Sequence, residues 1–530
     1  MKPKDKITFT GIWTFPIVFI LLIKYFPASS NDMEIKTYLI YTLYSLIPAF
    51  LITIHNSTAY ANSKREFGLF DFLDSKNKAE YISSNKKKAM YPPVPSNLLS
   101  KEAKGILFGK YNGSYVYKDI KEDGHILVVG GSGSGKSSCL VIPTILANKD
   151  TQVFAIDIKG ELSSKTSKYD DEHTIIFNPL DKNTYGYNPL YNITEESPIQ
   201  DIYEVMQNIS FSLIPLPAGL TEIFWKQSAR NLLTGLLIYF FNQGCNTLIE
   251  IVDSILALPI KQIIDHAIDS MNDKYVEYKI LIQYKDMSEN TLTGIYSELS
   301  LHISIFANDE NIRYAFSQNP KMFSPLLLKK QYNIYLSIKE EKLTAYYDIL
   351  QLIINQALMQ LEKRPENSSP VIFIIDELPR ILSAGKLDRL LDGARTLRSR
   401  KVSLILVTQS IEALMTAYAE NEVIDLISNC SYKIILSASS SKTQDMICKW
   451  CGKYKEQHNT FDKHTKKSSM SYEDKDIVDA SDLMLLQNTG ELILVSPYGY
   501  NRIKKIPYYK DKAMNELVTK NQKYNCQDAV

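Results

Sequence analysis

Cysteine is scarce. Six in 530 residues cannot staple a chain of this size, which excludes a disulfide framework. Cys448 and Cys451, in CKWC, stand at metal-ligand or redox spacing, but no second CxxC accompanies them. Two reduced structural thiols are therefore expected rather than half a zinc site. Charge imbalance is missing as well: 60 basic residues face 59 acidic ones, a net charge of +1. No overall field draws nucleic acid to such a chain, so any groove for it must be built from local charge. Internal repeats and long low-complexity tracts are absent, which removes repeat architectures. The length leaves room for several domains and a large core.

What the N-terminus has is two long uncharged runs. Ile7 to Ile23 reads ITFTGIWTFPIVFILLI, and Thr37 to Ile54 reads TYLIYTLYSLIPAFLITI. Each spans roughly 26 Å as a helix, close to the hydrocarbon thickness of a bilayer, and Pro16 and Pro48 are tolerated in membrane helices. A signal peptide is the rival for the first run, but no small-residue cleavage site is evident and a second run follows at once. A buried core helix is the rival for the second. The pattern predicts a membrane anchor over 1–58, with spans at about 7–25 and 37–54. Lys2, Lys4 and Lys6 precede the first span and Lys64 and Arg65 follow the second, a modest positive-inside bias. Two spans leave both ends on one side, and the positive flanks place that side in the cytoplasm. The expected location is thus the cytoplasmic membrane, multi-pass, with the soluble body inside the cell. Residues 59–104 read as a polar, lysine-rich linker whose lysines either touch anionic lipid or are simply solvated.

Beyond the linker, short apolar runs alternate with helix-like segments. The strand candidates are 125–129, 152–157, 173–177, 332–338, 371–376, 403–408, 432–437 and 491–496. Near-continuous apolar strands predict a sheet buried on both faces, hence a mostly parallel α/β fold. Between 191 and 325 the pattern is helical, either an all-α insertion in one α/β domain or a separate helical domain. The boundaries expected are 105–190 and 326–512 for the two parts of the α/β domain, with a C-terminal tail over 513–530.

The stretch GGSGSGKS matches G-x-x-x-x-G-K-[ST] between a strand and a helix candidate. Gly130, Gly131, Ser132, Gly133, Ser134 and Gly135 form the loop, in which glycines let the backbone wrap a phosphate. Its N–H groups and the helix start, with Ser138 in the first turn, favour an anion. Lys136 is placed to neutralise the β- and γ-phosphates of ATP, and the Ser137 hydroxyl to ligate Mg²⁺. A glycine-rich turn matching by chance is the bland alternative. VIFIIDELPRI supplies a second half: Asp376 to hold the Mg²⁺ shell and Glu377 to orient or deprotonate a water. Alone, that pair is also a common acidic strand end. Gln409, ending SLILVTQ, is either a polar sensor of the γ-phosphate or an ordinary strand-end amide.

Taken together, the chain resembles the type IV secretion coupling proteins, the TraG/TraD-like family of membrane-anchored motor ATPases. The resemblance runs through the phosphate loop followed by LVIPTIL, DIKGEL at 157–162, FNPL at 177–180, FW with ARNLL, IIDELPRI, LVTQSIEAL, and the later SASSSKT and CGK. It implies a RecA-like P-loop NTPase motor domain with an inserted all-α domain, preceded by two transmembrane helices and assembling as a homohexamer. It implies a conjugation ATPase, with DNA, relaxase and relaxosome proteins, type IV secretion channel components and membrane lipids as partners. By motif position Arg398, eleven residues before Gln409, resembles the arginine finger that reaches a neighbour's γ-phosphate, with Arg395 and Arg400 as rivals. Asp157 and Lys159 are placed at the site's edge, or in a strand-end salt bridge. Two other readings compete: a coupling ATPase for protein effectors, and a non-hydrolysing cargo receptor or scaffold. The Asp376–Glu377 pair argues against the latter, since binding alone needs no water-activating carboxylate. A duplex pump of the FtsK kind is disfavoured because no long linker and no terminal winged-helix module are evident.

Overall fold

The computed structural model describes residues 91–527 apart from 168–172, 217–222, 318, 331, 384 and 463–466. The chain divides into two units, Met1–Ala89 and Met90–Val530. The first, and with it both apolar runs of the expected anchor, lies outside the described residues. Among the described residues no helix is long and apolar enough to cross a membrane.

The strands in chain order are β1 (Leu99–Ser100), β2 (Ile106–Tyr111), β3 (Ser114–Lys118), β4 (Ile126–Val129), β5 (Gln152–Asp157), β6 (Thr174–Phe177), β7 (Gly186–Tyr187) and β8 (Met322–Phe323). They continue with β9 (Asn333–Ser337), β10 (Val371–Asp376), β11 (Val402–Thr408), β12 (Tyr432–Ile435), β13 (Lys453–Asp462), β14 (Lys467–Asp476), β15 (Glu491–Ser496) and β16 (Gly499–Lys504). Twelve of them form one sheet in the order β1-β3-β2-β16-β15-β12-β4-β11-β10-β5-β9-β6. From β12 to β6 every pairing is parallel. From β12 back to β1 every pairing is antiparallel.

The parallel part is apolar along its whole length because it is covered on both sides. On β10, Val371, Phe373 and Ile375 face one core, and Ile372 and Ile374 face the other. Phe373 stacks on Phe154 of β5, with ring centroids 4.7 Å apart and 11° between planes. Each such ring taken fully from water contributes roughly 1.5–3 kcal/mol. The first core includes the helices Tyr347–Glu362 and Asp388–Thr396. The second includes the helix that follows the phosphate loop and the C-terminal helix Lys512–Gln527, through Met514 and Val518. The segment expected as a tail from 513 is therefore helical over Lys512–Gln527. The linker expected to reach 104 ends sooner, since Val94 and Leu98 are buried and β1 pairs with β3.

From Ile199 to Phe316 the described residues form helices and no strand. Local chemistry sets their starts. Thr247 and Glu250 close a capping box at Leu248–Leu256, each accepting from the other's backbone N–H at 3.2 and 3.1 Å. Asp309 accepts from Asn311 and Ile312 N–H to open Glu310–Phe316. The parallel pair β7–β8 brackets this insertion. Beside it lies a cavity of about 720 Å³, lined among others by Asn188, Tyr191, Asn319 and Phe323. None of these residues belongs to the phosphate loop.

Candidate functional site

Strand β4 ends at Val129, and the N–H of Gly130 donates to Thr408 O of β11 at 3.1 Å. The loop then turns tightly. A Cβ on Gly130 would sit 2.5 Å from Ser134 Oγ, and one on Gly135 would sit 2.7 Å from Cys139 Sγ. Gly135 also has φ +96°, which a side chain strains. The loop's outer wall is held from far along the chain. Ser437 Oγ accepts from Gly131 N (2.9 Å), and Gln487 Nε2 donates to Ser132 O (3.1 Å). Lys505 Nζ donates to Ser134 O, Leu436 O and Leu486 O at 3.1–3.3 Å.

Lys136 lies back on the loop, its Nζ donating to Gly130 O (2.9 Å) and Gly131 O (3.1 Å). Burial lowers its pKa, against the pull of Glu377 and Asp376. Ser137 Oγ donates to Asp376 Oδ2 at 2.9 Å. Burial pushes the Asp376 carboxyl up to about 6, opposed by that hydrogen bond and reinforced by Asp157 and Glu377. Glu377 is buried and has φ +84°, a left-handed backbone unusual for a residue with a side chain. Gln409 Nε2 donates to Glu377 Oε1 at 2.6 Å. Asp376, Glu377 and Gln409 share a cavity of about 200 Å³ with Ser132 of the loop.

The sequence-derived set therefore converges, with three distinctions. Asp157 stands beside Asp376 in register, but Ser163 N and Oγ both donate to its Oδ2 at 2.8 Å. It caps a helix start, and burial raises its pKa. Lys159 lines the cavity. Arg398 is not brought there. It sits in the turn Leu397–Arg400 that precedes β11, whereas Gln409 follows that strand, roughly 23 Å away at 3.3 Å per residue. Arg398 is exposed. Arg395 is engaged by Asp425 at 2.8 Å and Asp392 at 3.4 Å. Cys448 donates to Val478 O, and Cys451 is buried beside Ile447.

Sequence reasoning missed two charged residues on the cavity wall, Glu340 and Arg380. Arg380 lies one helical turn past Glu377, a spacing that could have pointed to it. Glu340 follows β9 and carries no local signal. Ser437, Gln487 and Lys505 were also missed, being more than 300 residues from the loop they hold.

The arrangement fits a nucleotide phosphate with a divalent cation. The loop cannot accommodate a Cβ at Gly130 or Gly135, and the buried Ser134 Oγ has no hydrogen-bond partner. Among the described residues no group of three or more His, Cys, Asp or Glu could hold a metal alone. The Ser137–Asp376 pair suits Mg²⁺, which takes few protein ligands and completes its shell from substrate and water.

A parallel sheet with a phosphate loop at the tip of β4, and an Asp-Glu pair at the tip of β10 one strand beyond β11, defines a RecA-like P-loop NTPase fold. Comparison with known proteins narrows the class: the chain belongs to the family described as type IV secretory system conjugative DNA transfer, whose model matches residues 75–528. Protein VirD4 of Rhizobium rhizogenes is 25% identical over an alignment of 437 residues, covering 78% of this chain and 63% of VirD4. The chain thus spans less than two thirds of that relative's length. Among solved structures, the unbound bacterial conjugative coupling protein TrwBdeltaN70 superposes with a TM-score of 0.60 at 17% identity, covering 80% of this chain and 91% of that one. TrwB in complex with ADP and Mg²⁺ gives a TM-score of 0.57 at 17% identity, covering 80% and 92%. At such identity the likeness concerns the fold.

Proposed function

We propose that this chain is a membrane-anchored ATPase that couples a DNA–protein (relaxosome) substrate to a type IV secretion channel and drives its transfer by ATP hydrolysis. The observation that carries the reading is the paired contact at the C-terminal ends of the central strands. Ser137 meets Asp376 at 2.9 Å and Gln409 meets Glu377 at 2.6 Å, beside a loop built for phosphate. Family membership supports it, as do the ADP and Mg²⁺ named for TrwB.

Each residue has a task. Lys136 exchanges its two loop carbonyls for β- and γ-phosphate oxygens. Ser137 and Asp376 would hold Mg²⁺, which would supply positive charge against the phosphates. Glu377 accepts the proton of the attacking water, and Gln409 fixes its carboxylate. Arg395 is tied to two aspartates, so Arg398 and Arg400 are the candidates to reach a neighbour's cavity in a homohexamer. A ring needs only a few lysines per chain to line its pore with positive charge for DNA, despite a net charge of +1. The runs at 7–25 and 37–54 anchor the body to the cytoplasmic membrane, near channel components and relaxase.

A mating assay scored alongside ATPase activity tests the reading. Lys136→Ala is expected to abolish both turnover and plasmid transfer while membrane insertion persists. A Lys136→Ala protein that hydrolyses ATP at the parent rate sinks the assignment.

A further inference from the structure

Arg380 and Glu340, on the cavity wall, have no part in the chemistry above. Arg380 and Glu340 pair across it, with Arg380 Nη2 2.7 Å from Glu340 Oε1. They come from different elements. Glu340 opens a single turn after β9. Arg380 lies in the short helical turn Leu378–Ile381 that follows Glu377.

That turn is held firmly. The left-handed backbone at Glu377 bends the chain off β10, and Arg380 N–H donates back to Glu377 O at 3.0 Å. Leu378 and Ile381 are fully buried. The Arg380 backbone therefore keeps a fixed distance from Glu377, while its side chain is half-exposed. The ion pair itself is weakly held: both side chains are 53% exposed, and pairs so wet contribute little.

The charge balance of the cavity gives the pair a use. Its lining carries three carboxylates, Asp376, Glu377 and Glu340, against two cations, Lys159 and Arg380. An incoming triphosphate adds negative charge beside Glu377. A guanidinium that gives up one exposed carboxylate can instead grip a phosphate through two parallel N–H donors, a stronger and more directional contact.

We propose that Arg380 binds the terminal phosphate of the nucleotide from within the same chain, and that Glu340 competes for it when that phosphate is absent. The inference rests on the nucleotide-binding reading given above. Arg380 then discriminates triphosphate from diphosphate, because only the former reaches it. Glu340 acts as a counter-ion that retains Arg380 between turnovers and recaptures it once phosphate leaves.

The test uses the purified full-length chain in detergent micelles, with Mg²⁺ and either a β,γ-imido ATP analogue or ADP as the probe. Arg380→Gln is expected to weaken analogue binding about tenfold, the loss of one charge-assisted contact, while ADP binding stays within about twofold. Arg380→Lys is expected to recover part of the loss. Glu340→Gln frees the guanidinium and is expected to tighten analogue binding about threefold, in line with a weak surface pair. Equal loss of both nucleotides in Arg380→Gln overturns the proposal, as does weaker analogue binding in Glu340→Gln; the pair is then a brace between β9 and β10. No change in Arg380→Gln overturns it as well. Lys136→Ala serves as the control. If the parent binds neither nucleotide, or Lys136→Ala binds both as the parent does, the functional reading itself fails and the inference falls with it.

Discussion

His125 offers a prediction that can be worked through in numbers. It sits just before β4, fully buried, where Leu404 N–H of β11 donates to its Nδ1 and its Nε2 meets Ala394 O, both at 3.1 Å. The ring therefore carries its proton on Nε2 and joins the base of the phosphate-loop strand to the helix leading into the arginine turn. Burial, then the charges of Lys118 and Arg398, bring its pKa down from 6.5 to about 4, against the Ala394 carbonyl and Asp123. The unfolded chain thus takes up a proton near pH 6.5 that the folded chain refuses until about pH 4. Stability from the neutral ring is fully present above pH 6.5 and is lost as pH falls through that window. With these two values the loss at pH 5 is about 2 kcal/mol. Replacement by glutamine keeps an acceptor for Leu404 and a donor for Ala394 but does not titrate. Guanidinium unfolding of the parent and of His125→Gln, at pH 8 and pH 5, isolates the effect, because every other group titrates in both proteins. The difference in unfolding free energy between the two is expected to move by about 2 kcal/mol toward the glutamine variant on acidification. A difference that is the same at both pH values refutes the assigned protonation state.

Other outcomes are expected at the site. Glu377→Gln should retain nucleotide while turnover drops by about 10²–10⁴-fold in steady-state assays. Gly135→Ala should lose nucleotide binding with the circular dichroism spectrum intact, since its Cβ would meet Cys139 Sγ at 2.7 Å. Arg395→Ala should leave hydrolysis near the parent rate, because its two aspartates already occupy it. Arg398→Ala or Arg400→Ala should abolish hydrolysis and regain part of it when mixed with Glu377→Gln subunits; an absence of rescue for both removes the finger from this turn.

The parallel part of the sheet was legible because its strands are apolar on both faces. The eight runs marked from sequence overlap β4, β5, β6, β9, β10, β11, β12 and β15. Of the antiparallel extension only β15 was marked. GYNRIK in β16 is half-exposed, and SYVYK in β3, though mostly buried, carries polar residues that hide the pattern. The hairpin β13–β14 reads KYKEQHNTFD and KSSMSYEDKD, with no apolar period at all. At the site, contiguous stretches announced the phosphate loop and the Asp-Glu pair. What stayed hidden was assembled by topology. Glu340 arrives from beyond β9, two strands from β10, and Lys505 arrives from beyond β16 to hold three carbonyls of three segments. No spacing in the sequence encodes such a meeting.

β11 bears Gln409 at one tip and the arginine turn at the other, a strand's length apart. With either arginine as the finger, a solitary molecule carries both halves of a working centre and can close neither upon itself. Hydrolysis per molecule should therefore climb steeply with protein concentration and vanish on dilution, so that fuel is spent only where enough copies have gathered.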